Sequence, residues 1–331
     1  MELVCPAGNL PSLKAAVDNG ANAVYMGLRD ATNARHFPGL NFDQARAAQG
    51  IEYARARGVK VFLAINTYPQ AANWQAWREA VDMAAGLAVD ALIVADIGVL
   101  EYATLRWPQL PLHLSVQASG TNYEALSFYH ENFGIRRAVV PRVLSMTQVR
   151  HICAHSPVAI EVFGFGSLCV MVEGRCLLSS YVTGRSPNTY GACSPAESVE
   201  WRETPTGLES RLNGVLTDRY GPDEEAGYPT LCKGRYQVDE ATYYAIEEPT
   251  SLNTLELLPE LLQVGVAAIK IEGRQRSPAY VAQVTRVWRQ ALDACQRDPA
   301  RYQVRPEWTQ GLGRVAEGAQ TTLGAYSRPW Q

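Results

Sequence analysis

Four cysteines within one stretch of the chain have the residue type and spacing that could do chemistry. Cys169, Cys176, Cys193 and Cys232 follow the pattern C-x6-C-x16-C-x38-C and stand among turn residues. Thiols in a reducing compartment rarely form disulfides, so a gathered set indicates a metal ion or an iron–sulfur cluster. Structural zinc sites commonly use close C-x-x-C pairs, which this spacing lacks. Zinc held by four thiolates stays open as the alternative to a cluster.

Alternating strands and helices must position these cysteines. The predicted strands are 2–8, 23–27, 60–66, 91–96, 112–118, 137–142, 158–165 and 267–273, and helical patterns lie between them. Eight such strands predict an α/β fold, a (β/α)8 TIM-barrel-like domain made of 1–165 and 251–296. The segment 166–250 is rich in Gly, Pro, Ser and Tyr. We expect it to be a cysteine-bearing insertion between strands 7 and 8, followed after the barrel by an irregular C-terminal tail, 297–331.

Polar side chains share one side of several predicted strands. In the eighth strand Lys270 and Glu272 alternate with Ile269 and Ile271, because successive side chains of a strand point to opposite faces. The side of a barrel strand that faces the helices must be apolar, so the polar side points into the barrel or its mouth. The candidate substrate-binding residues are Asn9, Tyr25, Asn66, Asp96, Gln117, Arg142, Glu161, Lys270, Glu272 and Arg274.

Two interpretations of this polar set stay open. Buried charges are unfavourable unless they are paired or bind something, so the set could be a satisfied internal network. The alternative is a site for a small anionic ligand, because arginine suits planar carboxylates. The charged residues concerned are Arg142, Lys270, Arg274, Asp96, Glu161 and Glu272.

Composition limits the class of protein. The chain has 331 residues, of which 47% are hydrophobic and 19% charged, enough for a sizeable core. Its net charge of −3 is weak evidence against a large nucleic-acid footprint, which needs a basic face. The start, MELVCPAGNL, lacks the features of a secretory signal. No apolar run reaches the roughly 20 residues of a membrane helix. We therefore expect a cytoplasmic protein without a transmembrane segment or a nucleic-acid partner.

Several long segments of the chain resemble the collagenase-like peptidase family U32. They are LVCPAGNLPSLKAAVDNGANAVYMG at the start, VFGFGSLCVMVEGRCLLSSYVTGRSPNTYGACSPA, TLCKGRY, and SLNTLELLPELLQVGVAAIKIEGRQRSPAYV. The resemblance spans essentially the whole chain. The peptidase activity in the family's name has little support, because the sequence contains no G-x-S-x-G elbow and no H-E-x-x-H zinc motif. Catalytic residues therefore stay unassigned.

Within the family, the chain is most similar to members that act in ubiquinone biosynthesis. The resemblance implies a heterodimer with the paralogue UbiV, acting together with the lipid-carrier protein UbiT. It implies oxygen-independent hydroxylation of the ring of a ubiquinone precursor. It also implies a 4Fe–4S cluster in each subunit, held in this chain by Cys169, Cys176, Cys193 and Cys232.

The source of the oxygen is a further expectation. Related family members hydroxylate RNA bases with prephenate as oxygen donor, so we expect prephenate to be the donor here too. Prephenate is a dicarboxylate with a ring hydroxyl, which suits a barrel mouth containing Arg142, Lys270 and Arg274. The alternatives are a prephenate-dependent RNA base hydroxylase, a non-catalytic partner of a paralogue and a collagenase-like peptidase.

Overall fold

A closed barrel of parallel strands forms the centre of the computed structural model, which describes residues 1–328. Residues 329–331 of the predicted tail lie outside the described residues. Strands are numbered in chain order, and β14 pairs in parallel with both β1 and β7, which closes the barrel. The predicted fold class is confirmed. The barrel strands are β1 Glu2–Pro6, β2 Ala23–Gly27, β3 Lys60–Ile65, β4 Ala91–Val94, β5 Leu112–Leu114, β6 Arg137–Val139, β7 Ala159–Ser167 and β14 Ala268–Ile271.

Helices alternate with these strands. Several begin at a side chain that accepts a hydrogen bond from the first turn, and at Ser145 a capping box with Gln148 fixes the start of the helix. No helix within residues 1–328 combines the length and the apolar character that a membrane span requires. The helices of the barrel are α1 Leu10–Asp18, α2 Gln44–Arg55, α3 Trp74–Gly86, α4 Ile97–Arg106, α5 Tyr123–Phe133, α6 Met146–His155, α9 Leu258–Gln263 and α10 Pro278–Arg297.

The chain between β7 and α9 builds a separate layer next to the barrel. It starts with α7 Leu178–Thr183 and α8 Pro187–Tyr190. A three-stranded antiparallel sheet and a hairpin follow, and a last strand pairs with β7. The strands are β8 Val199–Thr204, β9 Gly207–Leu212, β10 Val215–Tyr220, β11 Arg235–Val238, β12 Ala241–Tyr244 and β13 Ser251–Asn253.

The tail differs from its prediction. It was expected to be irregular, but Pro306–Gly313 forms helix α11, and Thr321–Thr322 forms β15, which pairs with β13. Pro306 at the first helical position favours this start, and Trp308 is buried with 2% exposure. The prediction was wrong here because the helix is short and its few buried residues give little periodic signal.

The fifth strand is also shorter than predicted. It ends at Leu114, because the chain then turns through a short 3-10 helix, Val116–Ala118, that ends at Ser119 in the left-handed region with φ 58°. Ser115 caps this turn by accepting a hydrogen bond from the Gln117 backbone. The turn places polar residues at the mouth of the barrel instead of along a strand.

Candidate functional site

The interior of the barrel contains a network of paired charges. Glu161, with 1% exposure, accepts hydrogen bonds from Lys270 at 2.8 Å and from Arg137 at 3.1 Å. Burial alone would raise the pKa of Glu161, but Lys270 and Arg137 outweigh it and hold this pKa below its ordinary value. His113 lies beside this network, and burial lowers its pKa to about 3, so the ring is neutral at neutral pH. This part of the polar set is an internally satisfied network.

A small cavity of about 60 Å³ lies above this network; we call it the inner cavity. Three of the predicted substrate-binding residues, Asn9, Asp96 and Glu161, do not line it. Asn9 and Asp96 accept hydrogen bonds from the backbone of Ser12 and Val99, at the starts of α1 and α4, and Glu161 belongs to the charged network. The seven predicted residues that line the inner cavity are Tyr25, Asn66, Gln117, Arg142, Lys270, Glu272 and Arg274.

Arg142 already has partners within the protein. It donates to the Ser167 carbonyl, and its guanidinium carbon lies 4.0 Å from the centre of the Phe163 ring. Its Nε lies 3.0 Å from Oε1 of Glu173, although this contact is not aligned as a hydrogen bond. Both residues of the pair are buried. For Arg142 to bind an anion as expected, the Glu173 carboxylate would have to move away from the guanidinium or share its N–H donors with the anion.

Arg274 and Asn66 act on the loop between β2 and α2. Arg274 donates to the Asn33 side chain at 2.9 Å and to the Ala34 carbonyl. Asn66 accepts from the Ala34 backbone at 2.9 Å. Together the two residues hold the loop immediately before Arg35. Arg274 and Asn66 thus line the inner cavity, but their side chains are used to position a third residue.

Arg35 and Glu173 are site residues that sequence reasoning missed. Arg35 has φ 76°, a left-handed conformation that is uncommon for a residue other than glycine. Burial disfavours its charged form, yet coulombic interaction with Cys193, Glu272 and Cys169 outweighs this and raises the pKa of Arg35. For Glu173, burial is the largest cause of a raised pKa. Both residues lie in loops, where no periodic pattern could have predicted them.

A second, larger cavity of about 680 Å³ lies between the barrel, the insertion and the tail; we call it the outer cavity. Arg35 and Glu272 line both cavities and therefore mark their boundary. Cys193 contributes to the outer wall, and so does Ser194, whose buried Oγ has no hydrogen-bond partner within the described residues. The size is typical of small-molecule sites, which occupy roughly 300–1,000 Å³.

The four predicted cysteine ligands are free thiols that influence one another. Burial is the largest cause of the raised pKa of Cys169, to about 12, and of Cys232, to about 11, and it also raises that of Cys176. Coulombic interaction with Cys193 is a further cause of all three raised pKa values. Within residues 1–328, however, no three His, Cys, Asp or Glu side chains stand close enough to hold a single metal ion.

Comparison with known sequences decides the family. The sequence profile described as peptidase family U32 matches residues 8–328. The chain belongs to this family. The resemblance predicted from the cysteine-bearing segments is therefore confirmed at the family level.

Several relatives of the chain carry names that refer to RNA. The chain is 31% identical to tRNA hydroxylation protein P1 of Bacillus subtilis, covering 95% of this chain and 68% of that protein. It is 31% identical to tRNA hydroxylation protein P of Escherichia coli, over 88% of this chain and 68% of that protein. It is also 30% identical to the 23S rRNA 5-hydroxycytidine C2501 synthase of Escherichia coli, over 89% of this chain and 39% of that protein. The chain thus spans about two thirds or less of their length.

Proposed function

We propose that this chain is an iron–sulfur subunit of an oxygen-independent ring hydroxylase, and that Cys169, Cys176, Cys193 and Cys232 hold a 4Fe–4S cluster. The observation that carries the proposal is the placement of four free, partly buried cysteines in one insertion beside a closed barrel. Soft thiolate ligands suit iron–sulfur clusters and zinc. Hydroxylation is the activity in the names of the tRNA hydroxylation relatives.

Zinc held by the same four thiolates is the alternative, and analysis of iron, zinc and sulfide separates it from a cluster.

For the substrate we propose the ring of a ubiquinone precursor, with the chain in the role of UbiU beside the paralogue UbiV and the lipid carrier UbiT. The support for this substrate is the resemblance of several long segments of the chain to family members that act in ubiquinone biosynthesis. The wall of the outer cavity carries both signs of charge. Its basic residues are Arg35, Lys233, Arg276 and Arg314. Its acidic residues are Asp218, Glu224, Glu225, Glu248, Glu272 and Glu317.

Prephenate is the proposed oxygen donor. If its hydroxyl leaves at the oxidation level of water, the ring must lose two electrons and two protons as C–H becomes C–OH. A 4Fe–4S cluster, when bound, supplies one-electron transfer for such a step, and a redox partner must then accept the electrons. The chain's own residues would bind the donor, keep it at the boundary of the two cavities and exclude bulk water.

RNA hydroxylation with the same donor is the second candidate, favoured by the names of the relatives. A deletion strain grown without oxygen separates the two candidates. Loss of ubiquinone with normal modified nucleosides would support the ring hydroxylase. Loss of a hydroxylated nucleoside with normal ubiquinone would support the RNA candidate instead.

The cluster is tested by anaerobic purification of the protein with each of the four cysteines changed to alanine. Iron, sulfide and electron paramagnetic resonance are measured. We expect the wild-type protein to contain about four irons and each variant to lose most of them, because a ligand is missing. Cys153→Ala is the control and should keep its iron, since Cys153 lies on the barrel helix α6 and not in the insertion. A colourless wild-type protein with stoichiometric zinc would contradict the proposal.

A further inference from the structure

One basic side chain at the boundary of the two cavities has donors that no described residue uses. We propose that Arg35 binds a carboxylate of the ligand in the outer cavity, which makes this cavity a site for a carboxylate-bearing ring compound. The proposal rests on the hydroxylase function only in the choice of prephenate as one ligand. It moves the anion-binding role from the predicted residues Arg142, Lys270 and Arg274 to a loop residue.

Hydrogen bonding distinguishes Arg35 from the other basic residues of the inner cavity. Arg142, Lys270 and Arg274 each donate to an oxygen atom of the chain. The Arg35 guanidinium has five N–H donors, and none forms a hydrogen bond to a residue within 1–328. Its nearest carboxylate is that of Glu272, where Nε lies 3.9 Å from Oε1, beyond hydrogen-bond distance.

The other basic residues of the outer cavity are less suitable. Lys233 is neutralised by Glu317 at 2.6 Å and also donates to Ser167 at 2.9 Å. Arg276 donates to the Val315 carbonyl. Arg314 is exposed, so water screens its charge. Arg35 keeps only 27% of its side chain exposed and lines both cavities.

The local backbone is built to hold Arg35 in this place. Its left-handed φ of 76° is strained for a residue other than glycine. Such backbone strain is concentrated at sites that hold ligands. The Arg35 N–H donates to the Gly191 carbonyl at 2.8 Å, and the Asn41 side chain donates to the Arg35 carbonyl at 3.0 Å. A Cβ at Gly191 would lie 3.0 Å from the Asn33 carbonyl oxygen. The loop and the insertion therefore fix Arg35 from two sides.

Size excludes the inner cavity for a ligand of this kind. Its 60 Å³ offers room for roughly four to six water molecules, whereas a dicarboxylate with a six-membered ring is much larger. The outer cavity of about 680 Å³ is large enough. A carboxylate on Arg35 would place the rest of the ligand in this cavity, next to Cys193, which lines the same wall.

The test measures carboxylate binding to full-length, cluster-loaded protein by anaerobic calorimetry, with prephenate and phenylpyruvate as probes. We expect Arg35→Gln to weaken binding of both by about 10- to 100-fold, because a charge-assisted hydrogen bond is lost. Arg35→Lys should weaken it by about tenfold, since an ammonium cannot bind a carboxylate in the two-point manner of a guanidinium. Arg29→Gln, in the same loop and outside both cavities, is the matched control and should bind like wild type.

The possible outcomes separate this inference from the proposed function. Wild-type affinity in Arg35→Gln or Arg35→Lys would overturn the inference, and so would failure of the wild-type protein to bind either probe. Arg35-dependent binding of phenylpyruvate without any binding of prephenate would support the inference while removing prephenate as the donor. If Arg35→Gln loses its cluster, Arg35→Lys decides alone.

Discussion

Glu161 was predicted to bind substrate, yet it is held by two basic residues of the chain itself. The alternation of side chains along β7 correctly places Glu161 inside the barrel, where it contacts Lys270 and Arg137. Removing one member of a buried charged group leaves the others uncompensated, which is strongly unfavourable. Glu161 therefore serves stability, and its charge matters through the partners that it neutralises.

We expect Glu161→Gln to lower the free energy of unfolding by about 3–5 kcal/mol, since Lys270 and Arg137 lose a buried carboxylate. Urea unfolding measures the change. Glu260→Gln is the control, because Glu260 pairs with Arg150 at the exposed surface; its loss should be at most about 1 kcal/mol. Similar small losses in both variants would show that the buried network is not a main source of stability.

Residue types alone do not distinguish a side chain that binds a ligand from one that forms hydrogen bonds or ion pairs within the protein. Asn9 and Asp96 follow strands and looked like site residues, but the same residue types are the preferred caps of the helices that begin there. Lys270 was predicted correctly to point inward, yet the sequence could not show that Glu161 already neutralises it. The alternation of side chains along a strand predicts which face each side chain points to. Its hydrogen-bond and ion-pair partners depend on neighbouring strands that are distant in sequence.

At the scale of elements, the loops carry what the sequence could not predict. The barrel strands were predicted within a few residues, with helices between them, because each buries a periodic apolar face. Arg35 and Glu173 lie in segments without such a face. Their positions depend on long-range contacts, such as the hydrogen bond from the Ser119 side chain to the Glu173 carbonyl at 2.7 Å.

The segment between Cys169 and Cys176 depends on one close backbone contact. Gly174 has φ 88°, and a Cβ there would lie 1.9 Å from the Gln117 carbonyl oxygen. We expect Gly174→Ala to push this segment off the barrel mouth and to reduce the iron content of anaerobically purified protein by at least about half. The barrel itself should keep its circular dichroism spectrum.

Gly184→Ala is the matched control for this change. Gly184 also has a positive φ, of 71°, but apart from its immediate neighbours in the chain no atom lies within 4 Å of the position of an added Cβ. It should suffer only backbone strain of about 1 kcal/mol and keep its iron. Equal iron loss in both variants would mean that backbone strain, and not contact with the barrel, governs the effect.

At the scale of the whole molecule, the barrel and the insertion differ in how much apolar surface they bury. The barrel packs a large cluster of fully buried side chains between its sheet and helices. Within 168–250 the buried hydrophobic side chains are few, namely Leu168, Ala192, Leu212 and Tyr220. Tyr181 and Trp201 of the same segment are exposed. A layer with so small a core needs another source of stability, which a metal group bound by four thiolates would provide.

Removal of the iron by a chelator under anaerobic conditions should therefore loosen the insertion more than the barrel. Hydrogen exchange followed by mass spectrometry should show amide exchange at least about tenfold faster in 168–244, equivalent to about 1.4 kcal/mol of local stability. Strands β1 to β4 should exchange as before, because the closed barrel keeps their hydrogen bonds. Protein treated identically without chelator is the control. Equally faster exchange throughout the barrel would contradict a separate, metal-dependent layer, since the chain would then lose stability as one unit.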